Sequence, residues 1–248
     1  MDACLLSGTN YGIQIRKLYE PHLYSGAKVL PLFEEHFGSS REGVCAISIE
    51  PNPRHTPRLE ALETAYRAQG WNIAILTNTA AYDRHTTLEF AHTHKAWDTN
   101  ASGDRLSNVG HLEGGTYTVQ GIDLPRFVSS VIGHMQQHAR RSQDVKYEPE
   151  AAATAARFVM KMDIEGAEWT VMPALLASGA LCQLDLVFIE YHPGADAFGE
   201  TPVGTAVREM LPSIVEAYPR CRASILELDD ESYDGTGLPL PRSGTPGR

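Results

Sequence analysis

The alternation of short apolar runs with helix-like segments constrains the fold of this chain most. The segments 53–70, 168–179 and 203–219 carry apolar residues at helical spacing. Such alternation requires right-handed crossovers and a mainly parallel sheet that is covered on both faces. We therefore predict an α/β fold with a three-layer, Rossmann-like sheet. Six runs have the length and aliphatic content of its strands: 3–7, 44–50, 72–78, 157–163, 184–191 and 223–229.

Composition narrows the classes of partner. The 248 residues are 42% hydrophobic and 21% charged, which suits one large α/β domain, and we expect a single domain over 1–248. The net charge of −10 argues against a nucleic-acid partner, since phosphate binding needs a positive field. No apolar run approaches the roughly 18 residues of a membrane span, so we expect none in this chain. Oligomeric state stays open.

Four cysteines are spread through the chain, and no two form a CxxC pair. Cys4, Cys45 and Cys182 lie in apolar surroundings, and Cys221 is the fourth cysteine. We expect buried free thiols rather than a zinc site or a disulfide framework. Free thiols favour a reducing compartment. The N-terminal MDACLLSG lacks the basic region of a signal peptide, and we expect a cytoplasmic protein.

Three stretches depart from the strand–helix pattern. Residues 83–121 are rich in His, Thr, Gly and Asn and predict a polar, hairpin-like insertion at the sheet edge, where acceptor contacts are expected. Residues 136–154 predict a flexible loop, and 234–248 an irregular tail. His92 and His94 have an H-x-H spacing without a recognisable third ligand, so we interpret them as a loop pair and predict no metal site.

Ligands in parallel α/β sheets bind beyond the carboxyl ends of the strands, so the residues that follow each strand are the candidates. After the first strand comes GTNYG, in which Gly8 and Gly12 flank Asn10 ahead of a helical segment. Glycines there allow backbone N–H groups to approach a ligand at a helix N-terminus. An ordinary tight turn is the alternative.

Polar residues also follow the second and third strands. Glu50 ends an apolar strand, where a carboxylate can accept both hydroxyls of a ribose. Its alternative role is to cap the helix that follows. Asn78 ends the next strand and can contact a base or cap a turn. We count both among the cofactor contacts.

The segment MKMDIEGAEW places several charges between two apolar runs. Asp163 falls at the carboxyl edge of the sheet and is expected to face the cleft. Glu165 and Glu168 suit the first turn of the next helix, where its dipole favours negative charge, so they are expected to stay out of the core. Lys161 is expected to emerge at the sheet rim or to pair with an acid.

The segment IEYH ends the fifth strand. His192 lies at the same sheet edge as Asp163, and an imidazole there can act as a base near neutral pH. A hydrogen-bonded structural histidine is the alternative. Glu190 is a polar residue within an apolar strand.

Taken together, these strand ends resemble the FkbM-type methyltransferases, a branch of the seven-stranded, S-adenosylmethionine-dependent class I methyltransferases. The resemblance runs in consistent order over roughly residues 5 to 192. It rests on the segments GTNYG (8–12), EPNP (50–53), GIDLPRFV (121–128), KMDIEGAE (161–168) and IEYH (189–192).

The resemblance implies a cofactor role for the first loop and the acid after the second strand, namely Gly8, Asn10, Gly12 and Glu50. It implies an active-site location for Asp163, Glu165 and His192. The expected activity is S-adenosylmethionine-dependent methyl transfer to a hydroxyl of a sugar or small natural product, with a small molecule or glycan as acceptor. Asp163 or His192 is the expected base.

Two rival functions remain. The family usually carries an aspartate two residues before the first glycine of the loop, and Leu6 stands there in this chain. That difference favours a catalytically inactive, methyltransferase-like binding domain. A nicotinamide-dependent oxidoreductase is disfavoured, because GTNYG lacks the G-x-G-x-x-G spacing.

Overall fold

The computed structural model describes residues 2–91, 105–106, 116–144, 156–192, 202–230 and 238–241. Within these residues the chain forms two sheets and six α-helices. The strands are β1 (Asp2–Ser7), β2 (Val44–Glu50), β3 (Asn72–Thr77), β4 (Thr79–Tyr82), β5 (Thr86–Ala91), β6 (Arg105–Leu106), β7 (Thr116–Asp123), β8 (Phe158–Met162), β9 (Leu186–Ile189) and β10 (Ser224–Glu227). The helices are α1 (Ile13–Tyr19), α2 (Leu30–Phe37), α3 (Thr56–Ala68), α4 (Leu124–Asp144), α5 (Glu168–Ser178) and α6 (Pro202–Ala217).

The central sheet is parallel throughout its described strands, in the order β10-β9-β8-β1-β2-β3. This confirms the predicted α/β fold, and all six predicted runs are strands of this sheet. Within the described residues it has six strands, one fewer than the family resemblance implies. Strand order reverses between β1 and β8, so a crevice for ligands is expected at their carboxyl ends.

Helices cover both faces of the central sheet, which gives the three layers. One apolar core contains residues of α1, α2 and α3, among them Ile15, Phe33 and Leu62. The other contains residues of α4, α5 and α6, among them Val128 and Val171. Burial of each such aliphatic or aromatic side chain stabilises the fold by roughly 1.5–3 kcal/mol.

A second sheet, ordered β4-β7-β5-β6, is formed by the strands that follow β3 in the chain. Asn78 has a φ of +50°, a left-handed conformation that asparagine tolerates, and it separates β3 from β4. Leu88, Phe90 and Val119 of this sheet are buried in the core that α4 and α5 also line. The described part of the predicted polar insertion is therefore a sheet with a buried apolar side. His92 and His94 lie outside the described residues.

Two expectations are wrong. Residues 136–144, predicted as part of a flexible loop, form the end of α4, because their Gln, Ala and Arg residues favour helix. Cys182 and Cys221 form a disulfide, whereas Cys4 and Cys45 are free thiols as expected. The two bonded cysteines precede the neighbouring strands β9 and β10, which brings their Cα atoms to 4.2 Å. The cysteine pattern thus no longer supports a reducing compartment.

Among the described residues, no helix combines the length and the apolar character needed to cross a bilayer.

Candidate functional site

A cleft opens at the carboxyl ends of β1, β2 and β8, where the fold places a ligand crevice. Its walls border about 710 Å³ of space, which includes open solvent. Five of the predicted site residues line it: Gly8, Asn10, Glu50, Asp163 and Glu165. The sheet topology therefore brings together residues from three separated segments.

Gly8 makes the closest approach between the two central strand ends. Its φ is +81°, and a Cβ added there would lie 1.7 Å from the carbonyl oxygen of Asp163. The hydrogen bonds between β1 and β8 continue one residue beyond the end of β8, since the Asp163 N–H donates to the Ser7 carbonyl at 3.1 Å. Only glycine fits this position, because it lacks a Cβ and adopts a positive φ without strain.

We expect Gly8→Ala to lower the free energy of unfolding by about 2–5 kcal/mol, from left-handed strain together with the steric clash. Chemical denaturation measures this change. Gly26→Ala is the matched control, since a Cβ at Gly26 meets nothing within 4 Å. An equal loss of stability in the two variants would contradict the role assigned to the Gly8 turn.

Glu50 holds the first loop against the start of the next connection. Its side chain is buried, and its two oxygens accept hydrogen bonds from the backbone N–H groups of Asn10 at 2.7 Å and Asn52 at 3.0 Å. His55 Nδ1 lies 3.2 Å from Glu50 Oε1. The short 3₁₀-helix Pro53–His55 is capped by Asn52, whose side chain accepts from the Arg54 N–H, and not by Glu50. The helix-capping alternative for Glu50 is therefore wrong.

Gly12 and Asn78 do not line the cleft. Gly12 has a φ of +86°, and a Cβ there would lie 2.3 Å from Leu62 Cδ2, so this glycine allows α1 to begin against α3. Asn78 is exposed at the junction of β3 and β4. Their described contacts are those of local packing and of a turn.

The cleft also contains residues that the sequence did not single out. Gln14 is buried on α1, and neither its Oε1 nor the Nδ2 of Asn10 has a hydrogen-bond partner among the described residues. Phe90 and Tyr117 stack on each other with ring centroids 5.6 Å apart. Orphaned polar atoms beside an aromatic wall suit a ligand that is part polar and part flat. In the sequence, only the position of Gln14 in the helical segment after the first loop could have indicated that it belongs to the site. No sequence pattern indicates this for Phe90 or Tyr117.

The opposite wall is formed by the segment MKMDIEGAEW. Lys161 is buried, and its Nζ donates to Asp163 Oδ2 at 2.5 Å. Of the two expectations for this lysine, pairing with an acid is confirmed and emergence at the sheet rim is wrong. The pair holds the Asp163 side chain at the cleft edge.

Glu168 contradicts the expectation that these acids stay out of the core. It is the first residue of α5, and its side chain is completely buried. Its oxygens accept from the backbone N–H groups of Ile164 at 2.7 Å and Gly166 at 2.8 Å. Glu165 lies in the turn that these bonds hold, with a φ of +54°. A buried carboxylate is tolerated here because several donors satisfy it.

His192, just beyond β9, is oriented by Glu168. Its Nδ1 lies 3.0 Å from Glu168 Oε1, and because a carboxylate can only accept, Nδ1 carries the proton. Nε2 faces Asp163 Oδ1 at 3.7 Å, Glu165 Oε2 at 3.9 Å and Glu190 Oε1 at 3.6 Å. The Trp169 indole donates to the His192 carbonyl at 3.0 Å and fixes the backbone there.

The electrostatics of this group follow from its acids. Burial alone would lower the pKa of His192, but the hydrogen bond to Glu168 and the nearby carboxylates raise it to about 9. Burial and the charge of Asp163 raise the pKa of Glu190 to about 7. We refer to His192 with Asp163, Glu165, Glu168 and Glu190 as the acid–imidazole cluster. The predicted proximity of His192 to Asp163 is thus observed, within a larger group of carboxylates than the sequence indicated.

A family model described as the methyltransferase FkbM domain matches residues 26–223, which is most of the chain. That span includes Glu50, Asp163 and His192, while the loop at Gly8 lies before it. No curated protein and no solved structure matches the chain.

Proposed function

The chain belongs to the FkbM methyltransferase family, and we propose that it transfers the methyl group of S-adenosylmethionine to a hydroxyl oxygen of a sugar or small natural product. One observation carries this proposal. The cleft joins the Gly8 loop and Glu50 on one wall to Asp163 and Glu165, the cleft-lining members of the acid–imidazole cluster, on the other, at the strand-order reversal where such sheets bind ligands.

The first wall fits the donor. A carboxylate has about four acceptor positions, so Glu50 can accept ribose hydroxyls in addition to its two backbone N–H bonds. The buried Gln14 Oε1 and Asn10 Nδ2 supply an acceptor and a donor for further polar groups of the same ligand. Gly8 keeps the backbone close enough for contact. Ala80, Ala81 and Phe90 provide an apolar wall for the flat base.

The second wall fits the chemistry. S-adenosylmethionine supplies an electrophilic methyl on a sulfonium sulfur. As the acceptor oxygen forms its new C–O bond, the C–S bond breaks, the sulfur keeps that electron pair, and the acceptor must lose its proton. The protein supplies alignment and a proton acceptor at the cleft edge.

Of the two candidate bases, His192 is the better proposal. Asp163 Oδ2 already accepts a hydrogen bond from the buried ammonium of Lys161, so that oxygen is not available for the proton of the acceptor. The Nδ1–H of His192 is fixed on Glu168, so Nε2, which faces the cleft-lining acids, is the atom that accepts a proton once the ring is neutral. Because the pKa of His192 is raised to about 9, the neutral fraction grows as the pH rises towards 9. Asp163 then holds the acceptor and the imidazole in place.

Replacing Glu50 with alanine is expected to weaken S-adenosylmethionine binding at least tenfold, because lost ribose contacts and a loosened Asn10 loop both reduce affinity. Titration calorimetry with the purified protein measures it. Glu60→Ala, at an exposed site on α3, is the control. Unchanged affinity in Glu50→Ala would remove Glu50 from the donor site.

The catalytically inactive binding domain is the second candidate, and Leu6 favours it. Leu6 is buried in the apolar core on β1, so it offers no polar contact to a cofactor. The same titration separates the two functions. If the wild-type protein gives no heat with S-adenosylmethionine or its demethylated product, the methyltransferase proposal fails and the inactive domain is favoured.

A further inference from the structure

We propose that the acid–imidazole cluster binds one divalent transition-metal cation through His192 Nε2, Asp163 and Glu165. This inference rests on the proposed function, because it assigns to the cation the activation of the acceptor hydroxyl. It replaces the expectation that the chain has no metal site. That expectation considered only the H-x-H pair at His92 and His94, and not groups that the fold assembles.

The ligand atoms already surround a common point. One atom each from Asp163, Glu165 and His192 lies within 4.8 Å of the other two. His192 Nε2 is 3.7 Å and 3.9 Å from the nearest oxygens of Asp163 and Glu165. These separations are too long for hydrogen bonds and shorter than about 4.2 Å, the largest distance between two ligands of one cation with metal–ligand distances of ~2.1 Å. One cation could therefore contact Nε2 and both oxygens.

Glu168 gives His192 the orientation that metal sites use. A ligating histidine usually donates its second ring N–H to a carboxylate, which fixes the tautomer and raises the basicity of the ligating nitrogen. Here Nδ1–H donates to a completely buried carboxylate, and Nε2 faces three other acids. The three backbone and side-chain contacts of Glu168 make this support rigid.

An unsatisfied oxygen in the same cluster is a second observation in favour of a cation. Glu190 Oε1 lies 3.6 Å from His192 Nε2, and Glu190 Oε2 is buried without a hydrogen-bond partner among the described residues. Four carboxylates surround the imidazole, while Lys161 is the ammonium that contacts them through Asp163. A dication would reduce this excess of negative charge and could accept Glu190 as a further ligand or a partner for coordinated water.

The donor set and position indicate which cation and which role. Imidazole combined with carboxylates suits Mn²⁺, Fe²⁺ or Zn²⁺ better than Mg²⁺ or Ca²⁺, which prefer oxygen alone. Asp163 and Glu165 line the cleft, so a cation between them and His192 would border the space available to the acceptor. A hydroxyl in contact with it would lose its proton more easily. His192 and Asp163 would then be ligands, and the proton of that hydroxyl would pass to solvent water at the open side of the cleft.

Mn²⁺ is the probe for the test, because protein binding broadens the electron paramagnetic resonance signal of the free ion. Chelator-treated protein should bind one Mn²⁺ per chain. His192→Ala and Glu165→Gln should each weaken binding at least tenfold. Glu168→Gln should weaken it by 10–100-fold, because an amide cannot replace both carboxylate oxygens, which accept from His192 and from the Ile164 and Gly166 N–H groups. Glu165→Gln changes a partly exposed turn residue, so it guards against loss of folding. Glu60→Gln should bind as the wild type does.

An unchanged free-ion signal with the wild-type protein, or equal affinity in the wild type, His192→Ala and Glu165→Gln, would overturn the metal site. A second measurement separates this proposal from the proposed function. Labelled methyl transfer to a panel of hydroxyl compounds should fall at least tenfold in chelator and return with Mn²⁺. Full transfer by metal-free protein would overturn the metal and leave the methyltransferase standing. Absence of S-adenosylmethionine binding would defeat the proposed function, and the Mn²⁺ titration would still decide the site.

Discussion

The variant His192→Ala is expected to lower the rate of methyl transfer by about 10²–10⁴-fold, the usual contribution of a positioned acid–base group. His192 Nε2 faces the two acids that line the cleft, but His192 itself does not line it. Binding of S-adenosylmethionine should therefore change by less than about threefold. Turnover with labelled donor and titration calorimetry measure the two quantities separately.

The control for this variant is His134→Ala. It removes an exposed imidazole on α4 that is not part of the acid–imidazole cluster. It should leave both turnover and affinity as they are in the wild type. A full rate in His192→Ala would exclude this residue from the chemistry, whether as base or as ligand. A large loss of donor affinity would instead place it in the donor site, against the geometry of the cleft.

Much of the fold follows from local patterns. The strands of the central sheet are short aliphatic runs, and a parallel sheet places their carboxyl ends at one edge. That rule alone predicts that Gly8, Glu50 and Asp163 lie at the same edge of the sheet. Sequence is informative here because strand order in alternating α/β chains is restricted by handedness and by the burial of both faces.

The rest depended on contacts between distant segments. Glu168 has the spacing of a helix-start acid, and nothing local shows that it is buried beneath His192, 24 residues later. Gln14 is recognised only once its unpartnered oxygen is seen in the cleft. The disulfide joins cysteines 39 residues apart and depends on the adjacency of β9 and β10. Such features are set by tertiary packing, which periodicity does not encode.

One further pair, unmarked in the sequence, has a large expected effect on stability. Lys17 and Asp230 are both buried, and Lys17 Nζ donates to Asp230 Oδ2 at 2.9 Å. Asp230 Oδ1 also accepts from the Lys28 N–H at 3.1 Å, so this carboxylate ties the segment after β10 to α1 and to the turn before α2. Burial lowers the pKa of Lys17 in spite of its partner, which shows how costly the ammonium is at this position.

Asp230→Asn is expected to lower the free energy of unfolding by about 3–5 kcal/mol, because it leaves a buried ammonium without its counter-charge. The amide oxygen can still accept from the Lys28 N–H, so the loss reports on the ion pair. Denaturant titration measures this loss, and a domain has a total free energy of unfolding of about 5–15 kcal/mol.

The double variant Lys17→Met with Asp230→Asn removes both charges and should recover most of the loss. Glu227→Gln, which breaks an exposed pair with Arg208, should cost less than about 1 kcal/mol. If Asp230→Asn is as mild as Glu227→Gln, or if the double variant is no more stable than Asp230→Asn, the pair does not stabilise the fold by charge neutralisation.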